Sequence, residues 1–215
     1  MIKNTKNGNK SFWNRFAFLY DFIIKRDRAA YEEMYRLMAE DLTPDMDVLE
    51  LAAGTGLIAL RIAERIRSLE ATDFSPAMIA EAKKKPAPKN VNFSVQDATA
   101  LTYEAARFDA VIISNALHIM PGPALALTNI RRVLKPEGLL IAPTFTRSGS
   151  FRERLWAGIM GIAGFRIWST WKAGEYLNFL RENGFNIRRS KTIPASFPLV
   201  YVTAKMEQGK PPRGV

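Results

Sequence analysis

At 215 residues, 47% of them hydrophobic, the chain is long enough for one α/β domain with a sizeable core and small additions. It has no cysteine, which excludes a disulfide framework, a thiolate metal site, a cysteine nucleophile and redox chemistry at sulfur. The net charge of +10 is uneven: residues 151–215 hold 11 basic and 4 acidic side chains, against 8 and 6 in 1–44 and 12 and 11 in 45–150. Such a surplus serves either solubility or an anionic partner at the last third, whether acidic substrate, phospholipid headgroup or nucleic acid.

In chain order, the N-terminus "MIKNTKNGNK" lacks an apolar signal core, so the reading is an untargeted, cytoplasmic protein. "SFWNRFAFLYDFII" and "AAYEEMYRLMAEDL" carry apolar residues at helical spacing and make 1–44 a helical lid segment. After the break "TPDMD", short apolar runs alternate with helical segments, the pattern of a parallel sheet. Strands are expected at 47–52, 68–72, 91–95, 108–114 and 138–145, with "KPEG" as a turn into the last of these. Helices are expected at 57–67, from Ser75 as N-cap with Pro76 in the first position, and at 124–134. Then the rhythm changes. A Gly- and Trp-rich cap insertion is expected at about 151–171, a crossover helix at 172–183 stopped by Gly184, and an antiparallel strand pair at 185–193 and 197–206. The run 155–165 is too short for the ~20 residues of a bilayer span, and 206–215 reads as a disordered tail.

The stretch "VLELAAGTGLIALRIA" runs from a strand through Gly54-Thr55-Gly56 into a helix, which brings bare backbone to the carboxyl edge of the sheet, where ligands of open α/β sheets bind. Gly54-x-Gly56-x-x-Ala59 also satisfies a dinucleotide fingerprint, with Asp73 near the position of its ribose-binding acid, so a nicotinamide-dependent oxidoreductase is an alternative. Glu50, an acid inside an apolar strand just before the glycines, argues against a pyrophosphate and for a cationic ligand.

"ELAAGTG", "ATDFSPAMI", "VQDATAL", "FDAVIISNALHIM" and "RVLKPEGLL", in this order, resemble class I S-adenosylmethionine (SAM) dependent methyltransferases, in particular the branch similar to ubiquinone/menaquinone C-methyltransferases. The resemblance is strong over 45–145 and implies a single Rossmann-like α/β domain at 45–205. Its sheet would be seven-stranded and mostly parallel, with an antiparallel last strand and helices on both faces. It implies SAM as cofactor, S-adenosylhomocysteine (SAH) as product and a small-molecule acceptor.

Carried onto these residues, the resemblance places Glu50 near the methionine amino group. Ala52, Gly54, Thr55 and Gly56 would pass beneath methionine and ribose, Ala52 standing where the family usually has glycine. Asp73 would accept both ribose hydroxyls, a task for two oxygens without a donor. Phe74 and Met78 would cover adenine, Asp97 and the Ala98 N–H would read its edge, and Ser114 and Asn115 would offer oxygen to the methionine end. Each aspartate has a local alternative, Asp73 as a cap two residues before Ser75 and Asp97 as a chain turn.

His118, the only histidine, lies past the fourth strand and is the candidate base; Tyr20 is a second pocket candidate. The cap, apolar on one helical face and flanked by Arg152, Arg154 and Arg166, is the expected acceptor pocket. A basic nucleic-acid-binding variant is the other alternative, although no nucleic-acid module accompanies it. Peripheral membrane contact through the N-terminal aromatics is conceivable, and no metal is expected.

Overall fold

The computed structural model describes residues 9–17, 25–147 and 166–207. Its central strands are short, apolar and each followed by a chain segment that returns across the sheet, which is what parallel pairing requires. β1 (Asp47–Leu51), β2 (Ser68–Asp73), β3 (Val91–Val95), β4 (Phe108–Ile113) and β5 (Leu134–Ile141) run parallel in the order β3-β2-β1-β4-β5. They are followed by β6 (Thr144–Phe145), β7 (Phe185–Ile193) and β8 (Leu199–Met206). β8 pairs antiparallel with β5, β6 and β7. The last strand is therefore the antiparallel member of an otherwise parallel sheet, as expected.

The fifth strand departs from expectation. It starts at Leu134, four residues early, and residues 135–138 bulge out between the pairs Phe108–Leu134 and Ala110–Leu139, so "KPEG" interrupts the strand and does not precede it. It also breaks before β6, giving eight strand segments where seven were expected. The break falls at Pro143, which has no N–H for the ladder, and whose carbonyl accepts from the Asn115 N–H at 2.8 Å. The end of β5 is thereby bound to the loop after β4.

The described helices are α1 (Lys10–Phe16), α2 (Arg28–Asp41), α3 (Leu57–Ile62), α4 (Pro76–Lys83), α5 (Pro123–Val133) and α6 (Ala173–Glu182). α3 is shorter than expected because it tightens into a 3-10 turn at Ala63–Arg65. α4 starts as its sequence dictates: the Ser75 Oγ accepts the Met78 N–H at 3.2 Å, and Pro76 occupies the first turn. Tyr20, the remainder of the first helix, most of the cap (through residue 165) and the tail from 208 lie outside the described residues. Met206 and Glu207 do not belong to that tail: Met206 ends β8, and the Glu207 N–H donates to the Gly184 carbonyl at 2.9 Å.

Strand alternation sorts the core into two layers. Leu49 and Leu51 of β1 join Leu127 and Ile130 of α5 and Tyr176 and Leu180 of α6 on one face. Val48 joins Met34, Leu37 and Met38 of α2 with Ile58 and Ile62 of α3 on the other. Glu50 falls on this second face, and α2 is the roof above it. The same helix absorbs part of the C-terminal positive charge. Lys191 pairs with Glu33 at 2.6 Å and Arg189 with Glu40 at 2.8 Å, while the Tyr201 hydroxyl donates to Asp41 Oδ2 at 2.6 Å. These ion pairs are largely exposed, so they orient α2 more than they stabilise it.

Candidate active site

β1 delivers the second of its two acids to an apolar floor. Glu50 is 1% exposed and faces a small pocket lined with Tyr31, Ala52, Ala53, Leu57, Ile58 and Ser114. Its carboxyl group receives a backbone hydrogen bond from Ala59, while Oε2 has no partner among the described residues. Burial, then the nearby Asp73, pushes its pKa well above the usual carboxylate range.

The chain then turns through three left-handed residues, Ala52 (φ 54°), Gly54 (φ 56°) and Gly56 (φ 79°). Gly56 serves the fold as well as any ligand: a Cβ there would lie 2.8 Å and 2.9 Å from the Phe93 ring. Thr55 is buried, and its carbonyl accepts from Lys85 Nζ at 2.8 Å. Ala52 holds a conformation that costs a non-glycine residue about 1–2 kcal/mol, offset in part by the entropy glycine would lose. Ala52→Gly is therefore expected to raise stability by about 0.5–1 kcal/mol; a denaturant midpoint that stays put or falls would contradict the strain.

At the end of β2, Asp73 Oδ2 accepts the Gly54 N–H at 2.9 Å and Oδ1 accepts the Ser75 N–H at 2.8 Å. The local capping alternative is thus realised, and it ties the glycine loop to the second strand. Each oxygen keeps a further lone pair for a ligand hydroxyl. Burial raises the Asp73 pKa, and the two N–H bonds oppose the rise. Beside it α1 crosses the same edge: Lys10 Nζ sits 4.3 Å from the Phe74 ring centroid, and the Ser75 hydroxyl donates to Asn14 Oδ1 at 2.5 Å. Met78 is buried in α4. After β3, Asp97 Oδ1 accepts the Thr99 N–H (2.8 Å) and hydroxyl (2.7 Å), a local turn, and Ala98 is buried.

The loops after β4 and β5 are bound together. Asn115, left-handed at φ 51°, donates from Nδ2 to the Tyr31 hydroxyl at 3.0 Å and accepts the Phe145 N–H on Oδ1 at 3.0 Å. Its side-chain oxygen is engaged within the fold, which leaves the backbone carbonyl as the oxygen of Asn115 that would face the methionine end. The Ser114 hydroxyl lies 3.8 Å from Met34 Sδ. His118 Nδ1 is 2.9 Å from Thr144 Oγ1, and its carbonyl accepts the N–H groups of Trp168 (2.9 Å) and Ser169 (3.0 Å). Burial lowers the imidazole pKa from 6.5 to about 4, so the ring is neutral at physiological pH. Asn9, 6% exposed, completes the rim: its amide donates to the carbonyls of Ile119 (3.0 Å) and Arg166 (2.7 Å) and accepts the Arg166 N–H at 2.7 Å.

An acid with one unpartnered oxygen, a glycine turn held by an aspartate and a rim of loops after β4 and β5 all meet at the carboxyl edge of one sheet. Residues 48–138 match the family model described as a methyltransferase domain. That stretch, 91 of the 215 residues, is similar to methyltransferase domains, and it holds most of the motifs that resemble class I SAM-dependent methyltransferases. The demethylmenaquinone methyltransferase of Renibacterium salmoninarum is 37% identical over 111 residues, 51% of this chain and 46% of that protein. The chain spans about half the length of the curated relatives of this kind. Among solved structures, the putative methyltransferase in complex with the Trm112 activator of Haloferax volcanii superposes with a TM-score of 0.77 at 18% identity, covering 91% of this chain and 98% of that one. The DhpI–SAH complex gives 0.72 at 24% identity, covering 92% and 95%.

Two of the similar structures hold SAH, and the family match is to methyltransferases and not to nicotinamide-dependent oxidoreductases. The residues fit the group: Glu50 Oε2 lacks the cation an ammonium supplies, and Asp73 has acceptor capacity left for ribose. Sequence reasoning missed Asn9, Asn14, Tyr31 and Met34. Tyr31 and Met34 signalled only helical periodicity, and Asn9 and Asn14 are polar residues in a polar N-terminal stretch. Their contacts span 61 to 157 residues of chain and left no local pattern.

Proposed function

We propose that the protein transfers the methyl group of SAM to a small, hydrophobic or aromatic acceptor. The observation that carries this reading is Glu50 Oε2, buried and unpartnered beneath the glycine turn. In a close-packed interior an unsatisfied carboxyl oxygen is retained at a cost of about 1–3 kcal/mol unless a ligand completes it. The demethylmenaquinone methyltransferases among the relatives support an aromatic, quinol-like acceptor.

SAM supplies an electrophilic methyl on a sulfonium; the chain supplies position, dryness and proton handling. Glu50 takes the amino group, Asp73 the ribose hydroxyls, and the backbone of Ala52, Gly54, Thr55 and Gly56 the face between them. Asp97 and the Ala98 N–H read the adenine edge, with Phe74 and Met78 against the ring. Ser114 lines the methionine end directly. Asn115 acts there through Tyr31, which it holds in place. α1, bound at Asn9 and Asn14 to opposite parts of the rim, is a lid; Tyr20 and the cap around 151–171 remain the acceptor-pocket candidates of the sequence. His118 is the proton acceptor: its ring is uncharged at neutral pH, and negative charge developing on an acceptor would raise its basicity.

The reading is tested by incubating the protein with labelled SAM and a panel of hydroquinones and phenols, with transfer of label expected to at least one. Absence of transfer together with absence of SAH binding would overturn it. His118→Gln is expected to lower turnover of a hydroxyl acceptor about 100-fold and to leave SAH affinity within about twofold, since it is not among the residues proposed to hold the cofactor; unchanged turnover removes the base assignment. The same variant has a pH signature. Because the folded pKa of about 4 lies below the ordinary 6.5, the unfolded chain binds more protons between those values. The stability this contributes is present above the upper value and is lost as pH falls towards the lower one. Thermal midpoints of the variant should therefore fall less across that window.

A further inference from the structure

Among the described residues, no cation meets the carboxyl group on the pocket floor. Around Glu50, α2 presents Tyr31 and Tyr35, β2 presents Asp73, β4 leads to Ser114, and α3 offers Ile58 and the Ala59 N–H. Arg61 of α3 points elsewhere, 3.0 Å from Glu32 and 5.9 Å from the Tyr35 ring. Lys85 is engaged with the Thr55 carbonyl. A carboxylate enclosed by apolar walls, with one backbone donor and a second acid nearby, is costly, and such a group keeps its proton.

We propose that Glu50 is a neutral acid in the ligand-free protein and that the ammonium group of the cofactor displaces its proton, making cofactor binding a proton-for-ammonium exchange. The inference rests on the cofactor reading above and adds its charge balance. The Glu50 O–H bond breaks, the proton leaves to solvent, and the carboxylate forms a charge-assisted hydrogen bond with the ammonium; no covalent bond to the ligand is made. The raised pKa of Glu50 agrees with this geometry.

Two consequences follow for recognition. A ligand without a cationic amine gains nothing from breaking that O–H bond, so the floor selects for charge as well as shape. Affinity for SAH falls about tenfold per unit of acidification wherever the free site is protonated and the bound site ionised.

The test is calorimetric titration of the full chain with SAH at neutral pH in phosphate, HEPES and Tris, whose ionisation enthalpies differ. A dependence of the observed heat on buffer corresponding to release of about one proton per SAH is expected. 5′-Methylthioadenosine, which keeps the adenosine and thioether but lacks the amino acid, should bind without proton release. Glu50→Gln should bind SAH more weakly, release no proton, and show an affinity that no longer varies over neutral and mildly acidic pH. SAH binding with the same heat in every buffer overturns the exchange, as does an equal proton release with methylthioadenosine, which would assign the proton to the ribose end at Asp73. No heat with either ligand in any buffer would overturn the cofactor reading itself.

Discussion

Asp73→Ala is expected to lower SAH affinity at least about 100-fold and to destabilise the free protein by about 2–4 kcal/mol, taking each lost charge-assisted hydrogen bond at about 1.5–3 kcal/mol and allowing partial relaxation. The two effects have separate causes. Affinity is lost because the two oxygens proposed to accept the ribose hydroxyls are gone. Stability is lost because the N–H groups of Gly54 and Ser75, at 2.9 Å and 2.8 Å from that carboxylate, are left without their acceptor. Circular dichroism and a urea midpoint on the same sample separate a folded protein that does not bind from one that has unfolded. If the variant is folded and binds SAH as tightly as the wild type, Asp73 is a brace for the glycine turn and not a ligand to ribose.

Gly56→Ala should cost about 2–4 kcal/mol, one of the larger values for so small a change. The added Cβ would stand 2.8 Å and 2.9 Å from two atoms of the Phe93 ring and 3.3 Å from the Ala82 Cβ, and the residue would have to hold φ at +79°. The left-handed conformation accounts for about 1–2 kcal/mol, and displacement of a ring from a packed core for the rest. Phe93→Leu removes the crowded ring atoms, so the pair Gly56→Ala with Phe93→Leu should be less destabilised than the sum of the singles. Simple additivity in that cycle would mean that the ring is not what Gly56 accommodates.

The same glycine shows how far local pattern reaches. "GTG" between a strand and a helix was legible as a turn, and a turn it is. Its placement before α3 follows from the apolar run of β1 and the periodicity of "LIALRI". Why glycine stands at position 56 was not legible, because Phe93 arrives there from β3, 37 residues along the chain. The fifth strand repeats the lesson. "GLLIAPTF" reads as one apolar run, and its interruption becomes visible only when the Pro143 carbonyl is seen to accept from Asn115 of another loop. The C-terminal charge surplus reads in the sequence as serving either solubility or an anionic partner, and part of it is met inside the molecule by Glu33, Glu40 and Asp41 of α2.

By itself the sequence determined the α/β class, the parallel order of helix and strand, the capped start of α4, the acid on β1 and the family its motifs resemble. These depend on residue period and on short stretches of backbone, which neighbouring side chains specify among themselves. Tertiary structure alone decided that Glu50 Oε2 has no partner among the described residues, that Asn115 turns inward to Tyr31 and Phe145, that Asn9 joins Ile119 to Arg166, and that burial depresses the His118 pKa. Burial and hydrogen-bond satisfaction are properties of how distant segments meet, and in a sheet assembled from segments a hundred residues apart no local pattern carries them.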